Sequence, residues 1–399
     1  MTRAAGTVAR GGGAGGFPAP IGLLIGVALF GVAMGGLYPA IALALTDSGE
    51  ASASVGLVTA AYYAGSILGT VGGATVIARL GRRRAFAAVA LTAATATALL
   101  AAVPDGGSGA ILGIALLRAV AGGAFGIYYL AVESWIAGLA TTGNRGRALG
   151  LYETVRVGAV AAGPLVLAGM APGTGFVLAA VLIAVAIVPI RRVPAGDADT
   201  VTILPRLDCR TLRRLVATSP AGFAAAFAAG VTGASFYAYG PLFGRAVAGD
   251  GPLGAAFFSV VLLAPIVVHV AVGAASDRIG RRGALGAVSL AAATAAGALA
   301  VIGPEVSYGI ALALALAAGA ASHPLYALGL AHVNDRISPE HRLAAGTAIL
   351  LAYNAGTVTG PGLTAASVAA MGIGGLYPVV AAVCALVALS ARPDRTASA

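Results

Sequence analysis

The chain contains no lysine. All 24 of its basic residues are arginine, and charged residues of either sign make up only 10% of its 399 positions. A soluble domain carries about 25% charged residues. With 59% hydrophobic residues and a mean hydropathy of +0.94, this chain cannot cover a water-facing surface of its size with charge, so lipid must cover most of it. Cysteine is nearly absent. Cys209 and Cys384 stand alone, which excludes a disulfide framework and a thiolate metal site. Beyond Met1 only Met34, Met170 and Met371 occur, too few for a soft-metal pathway, and no metal is expected. The glycine-rich stretch Gly11–Gly16 has no following Gly-Lys-Ser, so no phosphate loop and no nucleotide are expected. No nucleophile–base constellation falls on one face, so neither an enzyme nor a bound cofactor is expected.

What is present are long apolar runs. A bilayer-crossing helix needs about 20 mostly apolar residues. Twelve such runs occur, at 19–45, 55–78, 85–103, 109–136, 148–170, 174–190, 220–245, 253–275, 284–303, 308–333, 344–370 and 375–391. The expected architecture is an all-α membrane protein of twelve spans. It comprises a tail (1–18), a six-helix bundle (19–190), a polar linker (191–219), a second six-helix bundle (220–391) and a tail (392–399). The first run lacks an Ala-x-Ala-type cleavage site and reads as a membrane helix. Arginine placement orients the chain. Twenty-one of the 24 lie in the two tails, the linker and the loops near 79–84, 138–147, 276–283 and 334–343. The alternate loops carry Asp47, Glu50, Asp105, Asp250 and Glu305. By the positive-inside pattern both termini and the linker are expected in the cytoplasm, in a multi-pass inner (cytoplasmic) membrane protein. The same placement argues against nucleic acid as a partner. In the linker, residues 208–216 alternate arginine with aliphatics. A short helix on the anionic inner leaflet and a solvated tether remain open.

The halves repeat. Arg79-Leu80-Gly81-Arg82-Arg83 returns as Arg278-Ile279-Gly280-Arg281-Arg282 at an offset of 199. Gly163-Pro164 returns as Gly360-Pro361 at 197, and Tyr128 as Tyr326 at 198. Both halves start from the same side, so they form parallel repeats about an axis along the membrane normal.

With these motifs the chain resembles the major facilitator superfamily over essentially its whole length. The family's Gly-x-x-x-Asp-Arg-x-Gly-Arg-Arg signature is complete in the second half: Gly273, Asp277, Arg278, Gly280, Arg281 and Arg282. In the first half Arg79, Gly81, Arg82 and Arg83 remain, but Ala74 and Ala78 replace Gly and Asp. The resemblance implies a cytoplasmic charge latch at these loops. The first copy then needs another acid, and Glu133 is expected to supply it against Arg82, Arg83 or Arg145. Arg118-x-x-x-Gly122 looks like the family's motif linked to proton coupling. Gly163-Pro164 is similar to the antiporter motif, with its upstream glycine one place off. Together they look most like the drug:proton antiporter and efflux-permease branches.

A charge at the bilayer centre costs at least about 2.5–3.5 kcal/mol, so each one needs a reason. Arg118, Glu133, Glu153, Arg156 and His323, with Tyr38, Tyr62, Tyr129, Tyr152, Tyr237, Tyr326, Tyr353 and Asn354, fall in runs 1, 2, 4, 5, 7, 10 and 11; His269 adds run 8. Runs 3, 6 and 9 have no Tyr, His or internal charge, and run 12 has only Tyr377. Eight helices therefore surround something polar and four face lipid. On run 4, Arg118, Gly122, Phe125, Tyr129 and Glu133 share one stripe. Glu153 and Arg156 stand i,i+3 on run 5. They could neutralise each other, or exchange partners during proton coupling, with Glu153 as the titratable carboxylate. The expected function is secondary transport by alternating access, as proton-coupled efflux of a small organic molecule. Proton-linked uptake of an anionic metabolite, favoured by the two arginines, and a non-transporting membrane receptor are the alternatives. The expected partners are a small-molecule substrate, protons and the bilayer, and the expected state is a monomer.

Overall fold

The computed structural model describes residues 21–103, 106–139, 145–193, 208–338 and 341–391, and both tails and the middle of the linker lie outside that part. Among the described residues every regular element is a helix. The first half holds α1 (Ile21–Asp47), α2 (Ser52–Leu80), α3 (Arg82–Leu100), α4 (Ser108–Leu139), α5 (Arg145–Leu167), α6 (Pro172–Val185) and α7 (Ile187–Ile190). After the linker helix α8 (Cys209–Thr218) come α9 (Pro220–Ala248), α10 (Pro252–Ile279), α11 (Arg281–Ile302), α12 (Tyr308–Ser322), α13 (Leu325–Asn334), α14 (Arg342–Met371) and α15 (Leu376–Ser390).

Each of the twelve apolar runs is helical, but two are broken. The sixth divides at Ala186, three residues before Pro189, and the tenth divides at His323–Pro324. A proline ring clashes with the carbonyl four residues earlier and donates no hydrogen bond, which accounts for both breaks. Pro164 and Pro361 stand inside unbroken α5 and α14. The doubled basic phrase forms the same joint twice. Gly81 (φ 73°) separates α2 from α3, and Gly280 (φ 81°) separates α10 from α11. A side chain is strained at such φ, so glycine permits a one-residue reversal between two long helices. Among the described residues, by length and apolarity eight segments can cross a bilayer, with α10, bent by 43°, as a ninth. α2 and α3 count there as one segment because their joint is so short. α5 and α14 fall outside this set. They carry Glu153 and Arg156, and Tyr353 and Asn354, as expected of helices that line a polar interior.

Packing repeats between halves. α1 lies on α5 as α9 lies on α14, and α3 on α6 as α11 on α15. In lipid there is little hydrophobic drive between helices, so close backbone approach through small residues does the work. On the α2–α4 seam a β-carbon at Gly65 would collide with the Ala119 carbonyl, and one at Gly122 with that of Tyr62. α3, α6, α11 and α15 expose Leu91, Val177, Val181, Leu290, Val301 and Leu386, which marks them as lipid-facing. The halves meet where α2 lies along α14, α5 along α10 and α1 along α9.

Candidate functional site

Tyrosines converge where the halves meet. Tyr38 (α1) and Tyr237 (α9), 199 positions apart, bring their rings to 4.4 Å across the interface. Tyr62 stands edge-on to Tyr38 at 6.0 Å and to Tyr63 at 5.4 Å. Phe125 links Tyr62 (5.9 Å) to Tyr129 (6.1 Å) along α4. From the second half, Tyr326 and Tyr353 pack at 5.1 Å.

Two arginines enter this aromatic lining in different ways. Arg118 is 2% exposed. Its guanidinium lies 4.2 Å from the Tyr62 ring centre and 5.8 Å from that of Tyr38. Cation–π attraction to a desolvated pair of rings compensates part of its burial. Its Nη1 has no hydrogen-bond partner among the described residues, and neither does the Tyr62 hydroxyl. Arg156 is more open. Its guanidinium stands 5.8 Å from the Tyr129 ring, and its Nε and Nη2 donate to the two oxygens of Glu153 at 2.8 and 2.5 Å. The Glu153 side chain is 49% exposed and that of Arg156 23%.

The stripe expected on the fourth run is present, but its members differ in use. Arg118, Phe125 and Tyr129 join the aromatic cluster around Tyr62, whereas Gly122 serves the seam with α2. Glu133, expected to close the first basic latch, is half-buried on α4, one turn beyond Tyr129. Arg83 donates to the Val193 carbonyl at 2.5 Å, Arg82 is buried, and the Arg145 side chain lies outside the described part. Tyr152 is buried, with a hydroxyl that lacks a partner among the described residues. Asn354 is half-buried beside Tyr353 on α14.

His323 is displaced from its expected place. It lines a separate cavity of about 30 Å³ within the second half, between α9, α10, α12 and α15. The kink at Pro324 gives it that position. The His269 side chain lies outside the described part.

The second basic joint is an ion cluster. Arg281 pairs with Asp277 at 2.7 Å and with Asp335 at 3.6 Å, and also donates to Ser276. Sequence reading missed Asp335. The signal was the phrase Asn334-Asp335-Arg336 at the end of the tenth run, whose counterpart at 137 is alanine. Also missed was the seam at the opposite end. There Arg245 pairs with Asp47 at 2.5 Å and with Asp250 at 3.8 Å. Tyr239 donates to the Ser52 carbonyl at 2.7 Å, and Ser52 donates to the Ala365 carbonyl at 3.1 Å. The positions Asp47 and Arg245 are 198 apart, so symmetry-related helix ends carry opposite charges. These residues lie beside a cavity of about 170 Å³ lined by Pro164, Pro241 and Phe258.

Two matching helical halves enclosing a polar, aromatic centre define a membrane transporter. The chain belongs to the Major Facilitator Superfamily, whose family model matches residues 23–322. It is similar to an uncharacterized MFS-type transporter of Yersinia enterocolitica, at 26% identity over 86% of this chain and 87% of that protein. A similarly uncharacterized MFS-type transporter of Enterobacter sp. is 27% identical over the same shares. Solved structures share the fold. The nucleoside transporter NupG aligns with a TM-score of 0.72 at 16% identity, over 94% of this chain and 96% of that one. A bacterial homolog of the human lysosomal transporter Spinster, inward-facing and unoccupied, gives 0.73 at 14% over the same shares. A D-xylose-proton symporter gives 0.69 at 16% over 93% and 95%. The protein is therefore a multi-pass secondary transporter and not an enzyme.

Proposed function

We propose that this protein exports a small organic molecule in exchange for protons, by alternating access around the tyrosine-lined centre, as a twelve-span monomer in the inner membrane. The bundles are residues 19–190 and 220–391, and both termini and the basic joints face the cytoplasm. The observation that carries this reading is the pairing of Arg156 with Glu153 at the interface. A titratable pair beside the Tyr129 ring, on the helix α5 that packs against α10 of the second half, can couple proton binding to movement of one half against the other. The Arg245–Asp47 and Tyr239–Ser52 contacts join the halves at the end away from the basic joints, while Glu153 remains half exposed. This supports an inward-facing conformation. The remaining residues of the second joint, Gly273, Arg278 and Arg282, would serve the cytoplasmic gate with Asp277 and Arg281.

Inside-out vesicles test the reading. With an acid interior, added substrate should drive protons out, and failure to move protons in either orientation would eliminate proton coupling altogether. A second reading, proton-linked uptake of an anionic metabolite, is favoured by the buried Nη1 of Arg118, an unmet donor that a carboxylate would satisfy. Symport in right-side-out vesicles, lost in Arg118→Leu, would select it.

A further inference from the structure

The halves meet along two seams that the internal repeat makes equivalent. One joins α2 to α14 and the other joins α10 to α5. α2 corresponds to α10 at an offset of 199, and α5 to α14 at 197. At the end away from the basic joints, Tyr239 of α9 fills the first seam. Its side chain is fully buried. The hydroxyl donates to the Ser52 carbonyl at 2.7 Å and lies 3.4 Å from that of Pro361. A β-carbon at Gly56 would stand 3.0 Å from the same hydroxyl and 3.1 Å from Ala365, so the glycine leaves the room that the ring needs.

The second seam has no such ring. The position that matches Tyr239, at an offset of 199, is Ala40 of α1. The counterparts of Ser52 and Gly56 are Gly251 and Ala255, and those of Pro361 and Ala365 are Pro164 and Ala168. All five of these residues line the cavity of about 170 Å³. The void therefore stands where the equivalent seam holds a phenol side chain. An apolar cavity of about 150 Å³ holds benzene, so the space suits one ring. The charged residues lining it pair with one another, Arg245 with Asp47 and with Asp250, and this favours an uncharged occupant. The Gly251 carbonyl, in the place of that of Ser52, accepts the Ala255 amide at 3.3 Å and keeps a second lone pair for a further donor.

We propose that this cavity is a binding site for a small uncharged phenol, with the ring in the space that Ala40 leaves and the hydroxyl donating to the Gly251 carbonyl. Ala40, Pro164 and Ala168 come from the first half, and Gly251 and Ala255 from the second. A ligand that touches both halves favours the conformation in which they are closed at this end. The site is separate from the tyrosine-lined centre and its ligand needs no proton, so binding here and proton-coupled transport can fail independently.

The probe is para-fluorophenol, followed by fluorine NMR with the full-length protein in lipid nanodiscs, and empty nanodiscs report partitioning into lipid. The wild type should give a saturable bound signal beyond partitioning. Ala40→Tyr supplies the missing ring from the chain itself and should lose that signal while remaining folded by circular dichroism. para-Fluorobenzoate, with the same ring and a charge, should not compete for the site. No saturable signal in the wild type, or an unchanged one in Ala40→Tyr, overturns the proposal, and effective competition by the benzoate overturns the uncharged class. If Ala40→Tyr does not fold, Ala255→Leu fills the same space from α10 and decides in the same way. Spin-label distances between the outer ends of α1 and α9 read the consequence. In Arg245→Ala, which lacks the ion pair at the rim, the probe should lower the open fraction. An open fraction that stays or rises overturns the holding role.

Discussion

The two halves share a scaffold and divide the charges between them. In the first half the charges are in the middle: Arg118, Glu133, Glu153 and Arg156. The corresponding second-half positions, at offsets of 197 or 198, are Leu316, Ala331, Leu351 and Tyr353. At the basic joints the order reverses. The second half keeps Asp277 and Asp335 around Arg281, where the first has Ala78 and Ala137 around Arg82. A duplicated bundle thus specialises without a change of architecture. Packing is set by backbone approach, which both copies retain. Charge is carried by side chains, each of which can be lost from one copy at little structural cost.

The comparison breaks first at the scaffold, where the copies should behave alike. A β-carbon at Gly163 would collide with the Val32 carbonyl, and one at Gly360 meets the Val231 backbone at 2.8 Å. Gly163→Leu and Gly360→Leu should each destabilise the protein by about 3 kcal/mol, the upper end for overpacking, read as a lowered unfolding temperature in detergent. Tolerance in one half only would deny the shared packing.

The joints should behave differently. Asp277→Arg breaks the pair with Arg281 and adds like charge to a basic cluster. Its counterpart Ala78→Arg breaks no pair. The partners are 30% and 65% exposed, so the lost pair is worth up to about 1 kcal/mol. Transport by Asp277→Arg should fall roughly 5-fold on that basis, and by Ala78→Arg clearly less. Equal losses would show that the first joint has its own acid.

A smaller effect is expected at the opposite seam. Arg245→Ala removes an ion pair whose Asp47 side chain is 61% exposed. Such pairs are worth about 0.2–1 kcal/mol and weaken with salt. Spin-label distances between the ends of α1 and α9 should show a modestly larger open fraction, and raised ionic strength should mimic it in the wild type.

The smallest effect belongs to the linker. Asp208 caps α8 by accepting the Thr211 amide hydrogen at 2.7 Å, and the Thr211 side chain first, with this amide second, holds its carboxyl below the usual carboxylate range. A lowered folded-state value means that the cap stabilises α8 above the ordinary carboxylate pKa. The benefit is lost as pH falls through the lowered one. Hydrogen-exchange protection of Thr211, normalised to its intrinsic rate, should fall in that acid window and be unchanged by pH in Asp208→Asn.

The sequence by itself determined where the helices lie, that the halves repeat, and which of the twelve runs face lipid. These follow from local chemistry: apolar length, the glycine of each basic phrase, proline, and the azimuth of polar residues around a helix. The amphipathic alternation after Asp208 likewise became α8. Only the tertiary structure decided which neighbour each polar group meets. The stripe through Arg118 and Glu133 was legible, yet nothing local says that Arg118 meets the Tyr38 and Tyr62 rings of two other helices. Nor could the run carrying His323 show that Pro324 would redirect the histidine into a separate cavity. The Arg245–Asp47 pair joins residues 198 apart in the chain that approach only when two independent bundles close at one end. Such contacts depend on the relative placement of whole helices, which hydrophobic period does not encode. The missing lysines left arginine as the only cation, and its position in the fold decided whether it oriented the chain, held a joint or entered the transport site.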